Sequence, residues 1–449
     1  MIWLLRALLA ATILLSAFFS IWAPGLDEQL WLGWRTLAHQ GIATTLGSQA
    51  FSAPGSATGA LGWLTNVLEA LFERTGGPVA VTLTSACALI AALALVELRA
   101  RRNASEFFAF AAAAFAGATF LSSLRTGSGA LGWLVAAAFV LALTARRPAG
   151  AACAVLLAAL WCNLSAAGFF APWLAACVVA GRTLDDSASA PATRTAWLAV
   201  AGCVLALFLT PAGAAFVTLA PLAFHFGGAP GPVSVAPLAY RIGFSACLLT
   251  ATFFGLRGCA RGDILATLGM LVVALLDGRL LPLFGIVAAP VLAQAAMRAV
   301  RPPSGALASA LSCAFIAVVA FGGWSAARSS ASDAAPRDVI AALSSDGRTH
   351  RVLCTRLEWC GSALAAGDSH LAVFMDQREA AYPQGVRDDQ HSIASASSTW
   401  RAKVRGFDID AIVVDRHASL AGLLELGDGW ARRAEQGDAR LYLRAAATR

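Results

Sequence analysis

The chain has 449 residues, of which 58% are hydrophobic and only 13% are charged, and its mean hydropathy is +0.68. Soluble domains carry about 25% charged residues, so this composition excludes a soluble globular protein over the whole length. The formal net charge of +7 comes from arginines in short clusters between apolar segments, which is typical of membrane insertion and not of nucleic-acid binding. Charges become frequent after residue 328, so the pattern predicts a membrane part, 1–327, and a water-soluble tail, 328–449.

The apolar runs predict a polytopic α-helical membrane protein. A spanning helix needs about 20 mostly apolar residues, with a tolerance of a few in either direction. The apolar run 212–226 is short and bracketed by prolines, which predicts a re-entrant or interfacial helix. We expect about eleven spans, near residues 2–22, 78–98, 106–123, 128–145, 148–162, 165–181, 196–210, 242–257, 263–277, 280–299 and 305–326.

The arginines between the spans predict the orientation. The richer set of loops carries Arg99, Arg101, Arg102, Arg146, Arg147, Arg182, Arg194, Arg257, Arg261, Arg298 and Arg301. The poorer set carries, before the tail, Arg35, Arg74, Arg125, Arg241 and Arg279. Because positive loops tend to stay inside, we expect a multi-pass protein of the inner (plasma) membrane with a cytoplasmic N-terminus. The first loop, 23–77, and the tail are then extracytoplasmic.

Two amphipathic helices are predicted in the first loop. One is DEQLWLGWRTLAHQG, which places Leu30, Trp31 and Trp34 at helical spacing. The other is LGWLTNVLEALFERTGG, in which Gly76-Gly77 supplies a C-terminal stop. Tryptophans suit the bilayer interface, so we expect the loop to lie on the membrane surface as two helices.

In the tail the pattern of apolar residues changes to short runs rich in β-branched residues, which alternate with helical stretches. This alternation predicts a small α/β domain with a partly parallel sheet. Its predicted strands are HRVLCT, LAVFMD and DAIVVD, and its predicted helices are RDVIAALSS, EWCGSALAAG, SIASASSTWRAKVRGF and SLAGLLEL. The closing pair, WARRAE and ARLYLR, predicts a hairpin. The ten cysteines show no metal-ligand spacing. Cys354 and Cys360 share the tail, where a disulfide and two free thiols are both open.

Several polar residues are predicted at the outer ends of the spans. An acidic pair, Asp27 and Glu28, follows the first span in SIWAPGLDEQLWLGWR. No predicted span has an ionisable residue near its middle, which argues against an ion-coupled secondary transporter. The other members of this outer set are Arg125, Asn163, Ser165, His225, Asp277 and Arg279.

This set suits the chemistry of a lipid-linked sugar. Arginine binds phosphate oxygens through two parallel hydrogen bonds, so Arg125 and Arg279, with His225, are candidates to hold the donor phosphate. A carboxylate beside the reactive carbon of the sugar can deprotonate an acceptor hydroxyl as a general base. Asp27 is the candidate base and Glu28 a second catalytic acid that holds the acceptor or a metal, so a divalent cation is left open.

Structural roles compete with these assignments. The acidic pair is also typical of a solvated boundary, arginines snorkel to the interface, and His225 fits a structural role. Asn163 and Asp277 are candidates for the acceptor or accessory positions, but Asn163 also suits a turn cap and Asp277 an ion pair with Arg279.

Two tail residues, Asp376 and Arg378, follow the apolar run LAVFM. Ligands of open α/β sheets gather beyond the carboxyl ends of strands, so both are candidates to contact an acceptor or a lipid head group. The alternative is that they cap the strand and pair with each other.

The order of these features resembles the GT-C superfamily, integral-membrane glycosyltransferases that use polyprenyl-phosphate sugars. The likeness covers nearly the whole chain and is closer to uncharacterised bacterial GT-C-like membrane proteins. It rests on FSAPGSATGALGWLTNVLEALFERTGG, SSLRTGSGALGWL, LWCNLSAAGFF, LTPAG and RLLPLFGIVAAPVLA, and in the tail on EWCGSAL, VFMDQREAAYP, FDIDAIVVDR and GWARRAEQGDARLYLR. In that superfamily an acid of the first outside loop is the catalytic base, a role that the resemblance gives to Asp27, with Glu28 beside it.

The chain departs from its relatives at two places. They carry a second acid before the FS pair, where this chain has GSQAFS, and a His-Glu pair before Trp-Leu, where it has Leu61-Gly62. The resemblance implies transfer of a sugar from a polyprenyl-phosphate donor to an extracytoplasmic glycan, lipid or protein. Two alternatives stay open, a catalytically degenerate scaffold for envelope assembly and a transporter of lipid-linked saccharide.

Overall fold

The structure is a computed structural model. It describes residues 2–18, 26–120, 129–145, 148–185, 190–224, 259–299, 310, 317, 336–345, 347–366, 370–426 and 429–445. The chain divides into two compact units. We call Met1–Ile21 with Thr75–Arg328 the helical unit, and Trp22–Arg74 with Ser329–Arg449 the α/β unit. The first loop therefore belongs to the same unit as the tail.

The α-helices of the described residues are, in chain order, α1 (Ile2–Phe18), α2 (Leu26–Arg35), α3 (Trp63–Ala100), α4 (Glu106–Phe120), α5 (Ala130–Leu143), α6 (Pro148–Leu164), α7 (Ala171–Asp185), α8 (Ala190–Ala206), α9 (Ala214–Leu219), α10 (Arg261–Leu276), α11 (Leu281–Ala299), α12 (Arg337–Ser344), α13 (Leu357–Ala365), α14 (Gln384–Ala394), α15 (Trp400–Gly406) and α16 (Ser419–Leu426). The strands are β1 (His350–Cys354), β2 (Leu371–Val373), β3 (Ala411–Asp415), β4 (Trp430–Gln436) and β5 (Ala439–Arg444).

Apolar helices form the helical unit, at the positions where the apolar runs predicted them. Among the described residues, three helices are long and apolar enough to cross a membrane: Trp63–Ala100, Ala166–Asp185 and Gly278–Arg298. The predicted spans 242–257 and 305–326 lie outside the described residues, apart from residues 310 and 317. The count of eleven spans therefore stays a prediction. In the described part of this run, 212–224, the chain forms α9 and a short 3₁₀ turn, Pro221–Ala223.

A glycine pair interrupts α3 where the sequence predicted a stop. Gly76 and Gly77 both leave the helical conformation, and Gly77 has φ +67°, in the left-handed region that glycine adopts without a steric cost. The helix resumes at Pro78, whose missing N–H is tolerated in a first turn. The division between the two units, between Arg74 and Thr75, lies just before this break.

The predicted short turn WCNLSAAG between α6 and α7 is present. The Ser165 hydroxyl accepts a hydrogen bond from the Ala167 N–H and begins a short 3₁₀ segment, Ala166–Phe170. Gly168 packs so closely that an added Cβ would lie 2.6 Å from the Cys162 Cα. The two apolar runs are therefore separate helices.

The α/β unit is built on a five-stranded sheet of order β2-β1-β3-β5-β4. The pairs β1–β2 and β1–β3 are parallel, whereas β3–β5 and the hairpin β4–β5 are antiparallel. This arrangement agrees with the partly parallel sheet expected from the alternation of strands and helices in the tail.

One predicted tail helix was wrong in its extent. The run 392–407 was expected to form a single helix, but the structure has the end of α14 and then α15, with Ala396 at φ +57° in the turn between them. The hydroxyls of Ser392 and Ser397 lie 2.5 Å apart, and Thr399 lies 3.2 Å from Ser397. Local hydrogen bonds of serine and threonine hydroxyls compete with the hydrogen bonding of a helix. They therefore favour a turn between α14 and α15.

The first loop completes the sheet. The Phe51 N–H donates to the Val373 carbonyl at 3.1 Å, and the Val373 N–H donates to the Gln49 carbonyl at 2.7 Å. Residues 49–51 therefore cover the β2 edge, which would otherwise expose unpaired backbone groups. Leu46 and Ala50 are buried in the same core cluster as tail residues of this unit. The two predicted loop helices are present, and the segment between them packs into the α/β core.

A disulfide joins Cys354, the last residue of β1, to Cys360 in α13, with the Cα atoms 5.7 Å apart. Of the two open alternatives, the structure thus has the disulfide. The bond fixes the first turns of α13 against the carboxyl end of β1.

This disulfide predicts a specific peptide pattern, because Arg356 lies between the two cysteines. After alkylation and trypsin digestion without reductant, we expect residues 352–356 and 357–378 to appear as one linked species. Its mass should be lower by two hydrogens than the sum of the two free peptides. Reduction before alkylation is the control and should release both as alkylated peptides. Recovery of alkylated peptides without reductant would contradict the bond.

Candidate functional site

The acidic pair lies in the first turn of α2, which packs against α13. Acidic residues stabilise a helix N-terminus because the unpaired N–H groups there carry partial positive charge. The two carboxylates differ in exposure, since Glu28 is 2% exposed and Asp27 is partly exposed. The adjacent acids therefore occupy different environments.

Glu28 is held against the tail by close packing. The backbone at Gly361 in α13 approaches so closely that an added Cβ would lie 2.3 Å from Glu28 Oε2 and 3.0 Å from Glu28 Cβ. The Gln377 N–H donates to the same Oε2 atom at 3.3 Å. A glycine at position 361 is required here for space.

Two buried carboxylates share one guanidinium. Arg378 Nε lies 3.3 Å from Glu28 Oε1 and 3.1 Å from Asp376 Oδ1, and Arg378 Nη2 lies 2.5 Å from Asp376 Oδ2. Asp376 is fully buried and also accepts the Arg378 backbone N–H at 2.9 Å. We call Glu28, Asp376 and Arg378 the buried triad. Two carboxylates and one guanidinium would leave a negative charge in a buried site if all three were ionised.

Protonation of Glu28 removes that charge. Burial, followed by the neighbouring Asp376 carboxylate, raises the pKa of Glu28 to about 8, against the opposing effect of Arg378. Burial raises the pKa of a carboxyl group because surroundings of low polarity disfavour its charged form. At neutral pH the triad is therefore close to an Asp376–Arg378 ion pair with a protonated Glu28.

Asp27 faces a different partner. Ser362 Oγ donates a hydrogen bond to Asp27 Oδ2 at 2.9 Å and lies 3.1 Å from the Glu358 carbonyl oxygen. A hydroxyl has a single proton, and a charged acceptor makes the stronger bond, so the Asp27 carboxylate is the favoured partner. This bond orients Asp27 while leaving the carboxylate partly exposed.

The contacts of the acidic pair come from the segments that follow β1 and β2. Ser362 and Gly361 lie in α13, directly after β1, and Gln377 and Arg378 follow β2. Because β1 and β2 are parallel, these segments begin at the same edge of the sheet. Ligands of open α/β sheets bind at this carboxyl edge, where the sequence predicted a role for Asp376 and Arg378.

The neighbouring position on this edge is occupied by an ion pair. Arg356, which follows β1, pairs with Asp415 at the end of β3, and its Nε lies 2.8 Å from Asp415 Oδ2. The Asp415 backbone N–H donates a hydrogen bond to the Thr355 hydroxyl at 2.9 Å. These bonds occupy the edge between β1 and β3, whereas on the β1–β2 side Asp27 presents a partly exposed carboxylate.

The remaining described candidates belong to the helical unit. Asp277 is 3% exposed and accepts hydrogen bonds from Arg279, at 2.9 Å from its backbone N and 2.6 Å from its Nη2. The Arg279 guanidinium also lies 5.9 Å from the centre of the Phe224 ring. Asn163 Nδ2 donates to the carbonyls of Ala159 and Leu209 at 2.8 and 3.2 Å, which is the turn-capping role. Arg125 and His225 lie outside the described residues.

Sequence reasoning missed Ser362, Gly361 and Gln377. The sequence did carry a signal for the pairing of Arg279 and Arg378 with an aspartate. Each arginine follows an aspartate by two residues, in Asp-Gly-Arg at 277–279 and Asp-Gln-Arg at 376–378. In both, the aspartate accepts the backbone N–H two residues later and pairs with that residue's guanidinium. No comparable signal existed for the glycine and serine, which act through contacts distant in sequence.

Within the described ranges, no group of three or more His, Cys, Asp and Glu residues is placed to hold a metal ion. In the buried triad the cation that the carboxylates face is the Arg378 guanidinium. The buried triad therefore does not fit a metal centre, and no step is assigned to a metal.

Replacing Gly361 with alanine should displace the Glu28 carboxylate, because the new Cβ would overlap it. We expect Gly361→Ala to lower the free energy of unfolding by about 1–3 kcal/mol, measured by thermal or chemical unfolding of the whole protein in detergent. Gly422→Ala is the matched control, since Gly422 also lies in a helix and an added Cβ there meets nothing within 4 Å. Equal stability of the two variants would contradict the packing described for Glu28.

The raised pKa of Glu28 predicts a pH dependence of stability. The folded chain binds more protons than the unfolded chain between the ordinary value of 4.5 and about 8. This stabilising contribution is complete below pH 4.5 and is lost as the pH rises through about 8. We expect a loss on the order of 5 kcal/mol in the wild type and a flatter pH profile in Glu28→Gln. The exposed Glu435→Gln is the control and should keep the wild-type slope; a wild-type slope in Glu28→Gln would exclude this origin.

Known proteins resemble the chain in structure and not in sequence. No protein-family model matches it, and no curated protein matches it. The archaeal oligosaccharyltransferase AglB from Archaeoglobus fulgidus, in complex with an inhibitory peptide and a dolichol-phosphate, is 12% identical, with a TM-score of 0.56 over 98% of this chain and 74% of that chain. ArnT from Cupriavidus metallidurans, bound to undecaprenyl phosphate, is 13% identical, with a TM-score of 0.53 over 99% of this chain and 98% of that chain. The chain thus shares its fold with these two solved structures, in agreement with the fold that the resemblance implied.

Proposed function

We propose that the chain is an integral-membrane glycosyltransferase that transfers a sugar from a polyprenyl-phosphate donor to an extracytoplasmic glycan, lipid or protein. The GT-C fold supports the class of reaction, because the solved structures with this fold include proteins bound to dolichol-phosphate and undecaprenyl phosphate. The observation that carries the assignment is the environment of Asp27. This carboxylate is partly exposed, oriented by Ser362 and close to the segments that follow the parallel strands β1 and β2, the edge at which open α/β sheets bind ligands.

In the proposed reaction Asp27 acts as the general base. An acceptor hydroxyl attacks the anomeric carbon of the donor sugar, and its proton passes to the Asp27 carboxylate. The bond between that carbon and the phosphate oxygen breaks, and the polyprenyl phosphate leaves with the electron pair. A positioned base contributes about 10²–10⁴-fold to such a step.

Glu28 is assigned a positioning role. It is 2% exposed, its pKa is raised to about 8, and it contacts Arg378 and Gln377. A protonated and buried carboxyl cannot accept the proton of an acceptor hydroxyl. Its packing instead fixes the first turn of α2, and therefore the position of Asp27. Glu28 therefore positions Asp27 and is not assigned to the acceptor or to a metal.

For the donor phosphate, Arg279 is the described candidate. Its side chain is 35% exposed and its guanidinium is oriented by Asp277, and guanidinium groups bind phosphate oxygens through paired hydrogen bonds. Arg125 and His225 are further candidates on sequence grounds. Asn163, Asp376 and Arg378 are assigned to structure, because each is engaged by the hydrogen bonds described above.

An extracytoplasmic site is supported by the Cys354–Cys360 bond. Disulfides persist in oxidising compartments and are rare in the cytosol. The bond belongs to the same unit as Asp27, and the arginine distribution predicts the same orientation for the tail. We therefore assign the tail and the first loop to the outer face of the inner membrane.

A catalytically degenerate scaffold is the second candidate, and one observation favours it. Arg378 pairs with Glu28 and Asp376, and Arg279 pairs with Asp277, so each of these arginines has a carboxylate of the chain itself to balance its charge without a substrate. The absence of the second acid in GSQAFS and of the His-Glu pair at Leu61-Gly62 points the same way.

A deletion strain separates the two candidates. We expect mass spectrometry of its envelope to reveal the loss of one glycan or glycolipid, with accumulation of the unmodified acceptor. Wild-type protein should restore the product, whereas Asp27→Asn should lower its rate of formation at least about 100-fold. Asp388→Asn, an exposed carboxylate of α14, is the matched control and should restore the product fully.

Expression in the membrane and the Cys354–Cys360 linkage should be equal in all variants. If Asp27→Asn restores the product at the wild-type rate, Asp27 is not the base. If no glycan changes on deletion while a partner complex is lost, the scaffold is the function.

A further inference from the structure

A second candidate site lies in the helical unit. A cavity of about 860 Å³ is lined by the arginines Arg99, Arg102, Arg182 and Arg298 and by the aspartates Asp185 and Asp263. We call it the arginine cavity. Its volume falls within the range of about 300–1,000 Å³ that is usual for small-molecule sites. Its position among helix ends distinguishes it from a simple surface cluster.

The chain path places the arginine cavity at the opposite helix ends from Asp277 and Arg279. Helix α10 begins at Arg261, beside the cavity, and ends at Leu276, just before Asp277. Its 16 residues span roughly 24 Å at about 1.5 Å per residue. Helix α11 then returns and brings Arg298, in its last turn, to the cavity. By the arginine distribution this is the predicted cytoplasmic side.

The aspartates of the cavity are already engaged. Asp263 pairs with Arg99, whose guanidinium also donates to the Ile286 carbonyl at 3.3 Å. Asp185 accepts the Arg261 backbone N–H at 2.8 Å and lies 3.3 Å from the Arg261 Nε. Four arginines against two aspartates leave a formal excess of two positive charges in the lining. The cavity is therefore suited to an anion.

The arginines are held by different elements. Arg99 is 5% exposed at the end of α3, and the Arg182 guanidinium in α7 donates to the Leu143 carbonyl at 2.7 Å. Arg102, in the turn after α3, and Arg298, in the last turn of α11, are exposed. The cavity thus has a buried, fixed wall and an exposed rim.

We propose that the arginine cavity binds an anionic phosphate group. Guanidinium groups match phosphate oxygens through paired hydrogen bonds, and basic pockets between membrane helices on the cytoplasmic side accommodate anionic lipid head groups. The phosphate is supplied either by an anionic glycerophospholipid or by a soluble phosphate. This site is separate from the proposed sugar-transfer chemistry and does not depend on it.

The test uses the whole protein, purified in detergent and depleted of lipid. Native mass spectrometry measures the binding of phosphatidylglycerol, with phosphatidylcholine as the neutral comparison. Thermal unfolding measures stabilisation by inorganic phosphate against chloride at equal ionic strength. The variant is Arg102→Gln with Arg298→Gln. The matched control is Arg194→Gln, an exposed arginine of α8 on the same predicted side that does not line the cavity.

We expect the double variant to bind the phosphate-bearing probe at least about tenfold more weakly than wild type. Each substitution removes hydrogen bonds between a charged guanidinium and phosphate oxygens, and hydrogen bonds to charged groups are the stronger class. The Arg194→Gln variant should bind as wild type does. An effect with phosphatidylglycerol alone identifies a lipid as the source, and an effect with inorganic phosphate identifies a soluble ligand; both support the site. If the double variant is misfolded, Arg102→Gln alone replaces it. Equal binding by wild type and variant, or no binding of either probe by wild type, would overturn the proposal.

Discussion

The α/β unit depends on the burial of two carboxylates against a single guanidinium. Glu28 comes from the first loop, whereas Asp376 and Arg378 come from the tail. Unpaired buried charges are strongly destabilising, so this contact fixes which segments of the unit pack together. Protonation of Glu28, whose pKa is raised to about 8 by burial, leaves a neutral group of three side chains. The same contact sets the first turn of α2, and with it the position of Asp27.

This arrangement gives two adjacent acids different tasks. Glu28 lies under Arg378 and beside Gly361, where no larger residue fits, and Asp27 is turned toward Ser362 and remains partly exposed. The disulfide from β1 to α13 holds the helix that supplies both Gly361 and Ser362. Packing, covalent linkage and a hydrogen bond therefore converge on one accessible carboxylate at the carboxyl edge of the sheet.

Much of the fold could be predicted because it follows from local patterns. Apolar run length located the helices of the helical unit, and the change of period after residue 328 predicted strands alternating with helices. The contact between the first loop and the tail could not be predicted, because residues 49–51 meet β2 through backbone hydrogen bonds that carry no side-chain signature. The acidic pair was found from its position after the first span, and Asp376 and Arg378 from their position after a strand. Their shared network and the role of Gly361 depend on contacts between residues more than 300 positions apart.

The central claim is that Glu28 of the first loop is buried against Arg378 of the tail. A double-mutant cycle with Glu28→Gln and Arg378→Gln tests it most directly, through the free energy of unfolding of the whole protein in detergent at about pH 9, where Glu28 is ionised. The account predicts a coupling energy of about 1–3 kcal/mol, because Arg378→Gln leaves two buried carboxylates without a guanidinium when Glu28 is present, but only Asp376 when Glu28 is replaced. Additive effects of the two substitutions, with no coupling, would contradict it.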